Sequence, residues 1–301
     1  MEQNKVGIFG VPVDLGASRR GTDMGPSALR YAKLHETLHK IGYEVIDHGN
    51  LHVPIPEGRS VGNPKMKFAK EIIDICEQLA DQVSDIVTER QIPLILGGDH
   101  SLTMGSIAGI APHYKQVGLL WIDAHCDFNT PATTPSGNVH GMSLAASTGC
   151  GDDSLKMIKG FSPKVLPEHA VIVGARQIDH LEKETLFQCG VHVFTMREID
   201  EQGIANVMRQ AIDLASAGGN QLLYLSFDLD VVDPMFAPGV GTPVPGGLTY
   251  REAHLAMELL YDSKLLCGLE MMEVNPIIDK HNDTAKLGVS LAASALGQRI
   301  L

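Results

Sequence analysis

The chain predicts an α/β fold built on a central, mainly parallel β-sheet with helices on both faces. Three observations carry this. Short apolar runs alternate with amphipathic stretches along the whole length. The runs are almost wholly apolar, as strands covered on both faces should be. Polar residues capable of chemistry gather just past those runs, at the edge where open parallel sheets bind ligands. The 301 residues read as one domain, 1–301, without linker, low-complexity tract or internal repeat.

Val6 to Val11 reads as the first strand, and a Gly-containing loop follows from Pro12 to Gly25. Pro26 sits where a first helical turn tolerates it, so Ala28 to Ile41 is predicted as one helix, stopped by Gly42. Tyr43 to Asp47 is the second strand, and residues 50–64, rich in Pro and Gly, form a loop. Phe68, Ile72, Ile75, Leu79, Val83 and Ile86 make one apolar helix stripe with charged residues opposite. Strand Pro93 to Leu96 leads into Gly97-Gly98-Asp99-His100-Ser101 and a helix near Leu102 to His113. Val117 to Leu120 opens the next strand, which runs into Trp121-Ile122-Asp123-Ala124-His125-Cys126-Asp127-Phe128-Asn129.

A polar loop over 130–142 and a partly helical region over 144–168 come next. Val171 to Val173, Val191 to Phe194 and Gln221 to Phe227 are strands, and Ile204 to Ala217 is an amphipathic helix. Thr249-Tyr250-Arg251-Glu252 fits a capping box and starts a helix to about Tyr261. Leu265 to Val274 is strand-like, and Asp283 or Thr284 caps a last helix running to about Leu296.

The net charge of -12 excludes a general nucleic-acid binder, since no phosphate-neutralising excess exists. No apolar run approaches the ~18 residues of a membrane span, and no signal peptide precedes the first strand, so a cytoplasmic location is expected. The five cysteines are odd in number and contain no C-x-x-C. Free thiols are expected throughout, with neither a disulfide scaffold nor a thiolate zinc site.

Asp123, His125 and Asp127 fall at i, i+2 and i+4, which an extended backbone turns to one face. Two carboxylates and an imidazole packed together call for a positive charge among them, and a divalent metal supplies it. His100 and the pair Asp228 and Asp230 lie at two further strand ends. Asp99 reads as a helix cap. Six ligand candidates exceed one ion's ordinary coordination and suit two ions roughly 3.5–4 Å apart, bridged by carboxylates and a water-derived hydroxide. Carboxylate oxygens and imidazole nitrogens without thiolate favour Mn²⁺, with zinc, iron and cobalt left open.

Gly97-Gly98-Asp99-His100-Ser101, Asp123-Ala124-His125-Cys126-Asp127 and Ser226-Phe227-Asp228-Leu229-Asp230-Val231-Val232-Asp233-Pro234 together resemble the ureohydrolases, the family of arginases and agmatinases. Asn129-Thr130-Pro131, Ser136-Gly137-Asn138-Val139-His140-Gly141 and Glu273-Val274-Asn275-Pro276 add a closer resemblance to its bacterial arginase branch. The resemblance implies a three-layer αβα sandwich and two Mn²⁺ per subunit. One ion would be held by His100, Asp123, Asp127 and Asp228. The other would be held by Asp123, His125, Asp228 and Asp230, so that Asp123 and Asp228 bridge. It implies hydrolysis of L-arginine to L-ornithine and urea by attack of a metal-bridging hydroxide, in a homotrimer or homohexamer.

The chemistry sets its own needs. A guanidinium carbon is a poor electrophile, so a strong nucleophile must be made near neutral pH. Glu273 is the candidate anion to fix the guanidinium plane, and Glu270 is a rival carboxylate that the motif does not select. Asp127 can relay a proton to the leaving amine, and His140 can shuttle protons to solvent. Asn129, Ser136 and Asn138 can donate to an α-carboxylate, although spacing alone reads Ser136 and Asn138 as turn residues. The resemblance further places Asp179 near the α-amino group, with help from Glu182, and Thr242 in the pocket wall.

Two residues depart from the family pattern. Cys126 stands where Gly is usual and is expected to point away from the ligands. Gln177 replaces a common acidic residue and weakens the expected amino-group contacts. The competing readings are agmatinase or guanidinobutyrase, and a catalytically silent metal-binding homologue. The filled metal positions argue against the silent protein.

Overall fold

The computed structural model describes residues 4–300. Its main sheet comprises β1 (Lys5–Gly10), β2 (Glu44–Asn50), β3 (Ile92–Leu96), β4 (Val117–Ile122), β5 (Ala170–Ala175), β6 (His192–Thr195), β7 (Leu222–Asp228) and β8 (Leu266–Met272). The strands lie in the order β2-β1-β3-β8-β7-β4-β5-β6, and every pairing is parallel. Both sheet faces are covered, which explains the near-continuous apolar strands. Along β4, Val117, Leu119 and Trp121 enter one core, while Leu120 and Ile122 enter the other.

The helices are α1 (Gly25–Tyr31), α2 (Leu34–Lys40), α3 (Ala69–Thr88), α4 (Thr103–Ile110), α5 (Ser143–Ser147), α6 (Asp153–Lys156), α7 (His180–Cys189), α8 (Met196–Gln202), α9 (Ile204–Ala215), α10 (Tyr250–Ser263) and α11 (Asp283–Ala295). Buried residues of α1, α2, α9, α10 and α11 pack on one face, and those of α3, α4 and α5 on the other. The result is the expected αβα sandwich. The stripe predicted from Ile72 to Ile86 is the buried side of α3, and the Thr249–Glu252 capping box opens α10. Among the described residues no helix is long and apolar enough to cross a membrane.

Several local expectations change. The helix predicted over Ala28–Ile41 is broken at Lys33, which takes a left-handed φ of 67° and re-aims Leu34 and Leu38 into the core. The 50–64 loop leads into a short antiparallel hairpin, Gly62–Asn63 with Met66–Lys67. Helices α7 and α8 were not predicted, yet each begins with a capping box, Asp179 with Glu182 and Thr195 with Glu198. That D/T-x-x-E signal was available in the sequence where an apolar stripe was not. Neither Asp283 nor Thr284 caps α11. Asn282 precedes it at φ 63°, and Thr284 Oγ1 instead accepts from Gly239 N at 2.8 Å.

The expectation of free thiols throughout is also corrected. Cys150 and Cys189 form a disulfide, while Cys76, Cys126 and Cys267 are free and buried. The turn after α5 and the end of α7 bring the two Cα atoms to 6.4 Å, inside the range a disulfide spans. The pair lies 39 positions apart along the chain, so spacing carried no sign of it.

Candidate metal centre

Four neighbouring strands, β3, β8, β7 and β4, deliver the polar residues to one edge of the sheet. Each ends in a backbone device that turns its side chains inward. After β3, a Cβ on Gly98 would collide with the Val13 backbone, so only glycine lets this turn pass beneath the loop leaving β1. Asp99 then accepts from Gly16 N at 2.7 Å and Ser101 N at 3.0 Å, the cap role expected of it. That cap leaves His100, fully buried, facing the cleft.

His100 Nδ1 lies 3.1 Å from Asp123 Oδ2, 3.1 Å from Asp228 Oδ2 and 3.4 Å from Asp127 Oδ2. His125 Nδ1 lies 2.9 Å from Asp230 Oδ2 and 3.5 Å from Asp123 Oδ1. Donor atoms of His100, Asp123 and Asp228 fall within 4.8 Å of one another, as do those of Asp123, His125 and Asp230. Asp123 is common to both groups. The single extended face expected for Asp123, His125 and Asp127 does not exist, because β4 stops at Ile122 and Asp127 takes φ 47°. A turn, rather than strand alternation, brings Asp127 back to the cluster. Cys126 packs into the core, away from the ligands as expected.

The electrostatics of this pocket ask for cations. Burial and mutual repulsion push Asp127 and Asp228 well above the usual carboxylate range, and burial raises Asp230 as well. Asp123 goes the other way: burial opposes its ionisation, but hydrogen bonds with His100 and His125 outweigh it. Both imidazoles are raised despite burial, His125 chiefly by Asp230 and His100 by Asp123 and Asp228. Imidazolium protons thus sit where two cations would balance four carboxylates. Oxygen and imidazole donors without thiolate suit Mn²⁺-class ions, so the residues fit the expected group.

Glu273 follows β8 at a left-handed φ of 64°, a conformation costly for a residue with a Cβ. Its Oε1 accepts from His100 N at 3.0 Å and meets His140 Nδ1 at 3.1 Å. Its Oε2 is buried with no hydrogen-bond partner among the described residues. Burial works against the charge on His140, but Glu273 overrides this and lifts its pKa to about 9.

The residues expected at the amino-acid end divide into two sets. Asn129 Nδ2 donates to Asp179 Oδ2 at 2.9 Å, joining two of them directly. Ser136 Oγ accepts from Asn138 N at 3.1 Å, and Asn138 Nδ2 donates to Ser18 Oγ at 2.8 Å. Glu182 spends one oxygen on Phe128 N at 2.7 Å and the other on Asp179 N at 3.0 Å. It therefore ties α7 to the metal turn. Thr242 Oγ1 donates to Asp230 Oδ2 at 3.0 Å.

With this geometry in view, residues 4–297 match the family model described as the Arginase family. The chain belongs to the arginase family. It is 49% identical to an arginase of Brevibacillus brevis over 294 residues, covering 98% of each chain. It is 47% identical to one of Bacillus subtilis over 296 residues, covering 98% of this chain and 99% of that one. The solved arginase of Bacillus caldovelox superposes with a TM-score of 0.95 at 45% identity, covering 99% of both chains.

Around this arginase-family site stand supporting groups that sequence reading did not single out. Trp121 Nε1 donates to Asp123 Oδ2 at 2.8 Å, and its ring stacks on His100 with centroids 4.0 Å apart. Ser226 Oγ meets His100 Nε2 at 2.7 Å and donates to Glu270 Oε1 at 2.7 Å. Such partners fix the ring and free Nδ1 as a ligand. Arg176 donates to the carbonyls of Asp230 at 2.7 Å, Val231 at 3.0 Å and Val244 at 2.7 Å, clamping the segment after β7. Trp121 and Ser226 each lie two residues before a carboxylate of the cluster, Asp123 and Asp228, which was the available signal.

Proposed function

We propose that this chain is a binuclear manganese hydrolase that converts L-arginine and water to L-ornithine and urea, with residues 1–301 forming one catalytic domain. The observation that carries the reading is the pair of donor groups sharing Asp123, beside a buried glutamate oxygen with no hydrogen-bond partner among the described residues. His100, Asp123, Asp127 and Asp228 would hold one Mn²⁺, and Asp123, His125, Asp228 and Asp230 the other. When bound, the ions supply a water acidic enough to act as nucleophile near neutral pH.

The chain's own residues do the rest. Glu273 turns its free oxygen to the guanidinium and holds that plane for attack. Asp127 takes the nucleophile's proton and passes it to the leaving amine. His140, half-buried and charged near neutral pH, exchanges protons with solvent. Asn129, Ser136 and Asn138 receive the α-carboxylate, and Asp179 receives the α-amino group. Glu182 steadies Asp179, and Thr242 lines the pocket while orienting Asp230. A cytoplasmic homotrimer or homohexamer belongs to the same reading, and sedimentation equilibrium tests the assembly.

The deciding experiment measures urea release by Mn²⁺-loaded protein from L-arginine and from agmatine. Release should be far faster from L-arginine, should stop on chelation and should return with Mn²⁺. The reverse preference would reassign the chain to the agmatinases. No urea under any metal condition would make it a silent metal-binding homologue.

A further inference from the structure

The Gly62–Lys67 hairpin lies against the loop that carries Ser136 and Asn138. Lys67 N donates to Gly137 O at 2.9 Å, and Lys65 Nζ donates to Thr134 O at 3.0 Å. Gly137 sits at φ 77°, and a Cβ there would collide with the Pro64 carbonyl. These contacts fasten hairpin to loop without the Lys67 side chain. That side chain reaches Asn138 Oδ1 at 3.1 Å instead.

An ammonium only donates, so Lys67 decides which end of the Asn138 amide faces it. The amide NH₂ donates to Ser18 Oγ at 2.8 Å, and that hydroxyl also lies 3.0 Å from Oδ1. Among the described residues no carboxylate pairs with Lys67, whereas Arg20 is held by Asp14 and Glu57. The residue is half-buried, so solvent screens its charge only in part. The deep end of the cleft carries Asp123, Asp127, Asp228, Asp230 and Glu273, all buried.

We propose that Lys67 is a specificity-determining residue whose ammonium, seated on Asn138, selects substrates with a carboxylate at the end opposite the guanidinium. This rests on the arginine-hydrolase reading above. A guanidinium is drawn to the acidic depth of the cleft. The substrate's own carboxylate then sits at the outer loop, where the Lys67 ammonium stabilises it. An ammonium has no use for a substrate that lacks this charge.

The test compares L-arginine with L-argininamide, which keeps every group but neutralises the carboxylate. Mn²⁺-loaded wild type, K67M and K67R are assayed by urea release. K67M should raise the KM for L-arginine about tenfold, with kcat within about twofold, as loss of one charge-assisted contact predicts. For L-argininamide its KM should rise by about twofold at most, from the loosened Asn138 amide alone, an unchanged thermal midpoint shows the fold intact, and K67R should keep most of the discrimination. Calorimetry should show the same loss of affinity for L-ornithine and none for putrescine. Parallel losses on both substrates, or an unchanged KM for L-arginine, would overturn the role of Lys67. A wild-type protein that releases no urea from L-arginine would overturn the proposed function itself.

Discussion

Glu270 and Glu273 stand three residues apart on one strand and its exit, both buried, yet their surroundings are opposite. Glu270 has ordinary strand geometry and four donors. Thr103 and Ser226 hydroxyls serve Oε1, and Ser106 and Tyr224 hydroxyls serve Oε2. Glu273 pays for its position with a left-handed backbone and keeps one oxygen with no hydrogen-bond partner among the described residues. A carboxylate whose acceptors are all filled has nothing left for a ligand. One held in strain with a free acceptor is poised for a ligand. The comparison separates a fully paired carboxylate from one with a free acceptor where the sequence offered two rival glutamates.

Replacement is the hardest test of that contrast. Glu273→Gln should lower kcat/KM for L-arginine by about a thousandfold or more, because a neutral amide cannot match the guanidinium charge. The thermal midpoint should fall by only about 2–4 °C, since the amide oxygen still accepts from His100 N and only the charge pair with His140 is lost. Steady-state kinetics with calorimetry read both, and large unfolding with retained turnover would collapse the distinction. Glu270→Ala should reverse the pattern, costing about 3 kcal/mol in chemical denaturation by stranding four buried hydroxyls.

Ser226→Ala probes the link between support and metal centre. It should weaken Mn²⁺ binding by about 10- to 100-fold, measured by competition with a metal indicator, while stability falls by only about 1 kcal/mol. Unchanged affinity would show that Glu270 supports the core alone. The smallest effect concerns the pair His140 and Glu273. His140 is raised from 6.5 to about 9, so the pairing stabilises fully below about pH 6.5 and is lost as pH rises through about 9. Denaturation of wild type and His140→Asn should therefore differ by about 1–2 kcal/mol at pH 6 and converge near pH 10.

Much of the site was legible because each ligand type sits in a short local pattern at a strand end. His100, the Asp123–Asp127 stretch and Asp228 with Asp230 all reach one cluster. What failed was local geometry. The alternation argument required an extended backbone through Asp127, and the chain turns there instead. Helices α7 and α8 escaped because their apolar faces are weak and their capping boxes carry the signal. The Cys150–Cys189 link, the Arg176 clamp and the Lys67–Asn138 contact join segments that no spacing rule connects.

The amino-acid sequence alone determined the layered α/β architecture and the kinds of side chain at each strand end, because burial period and residue chemistry are local properties. Only the tertiary structure decided which strand ends are neighbours. The order β3-β8-β7-β4 brings together strands far apart along the chain. That adjacency, with the turns at Asp127 and Glu273, gathers the six proposed ligands and sets Glu273, with its unpaired oxygen, apart from the merely buried acids, since coordination and hydrogen bonding depend on distances of a few ångströms.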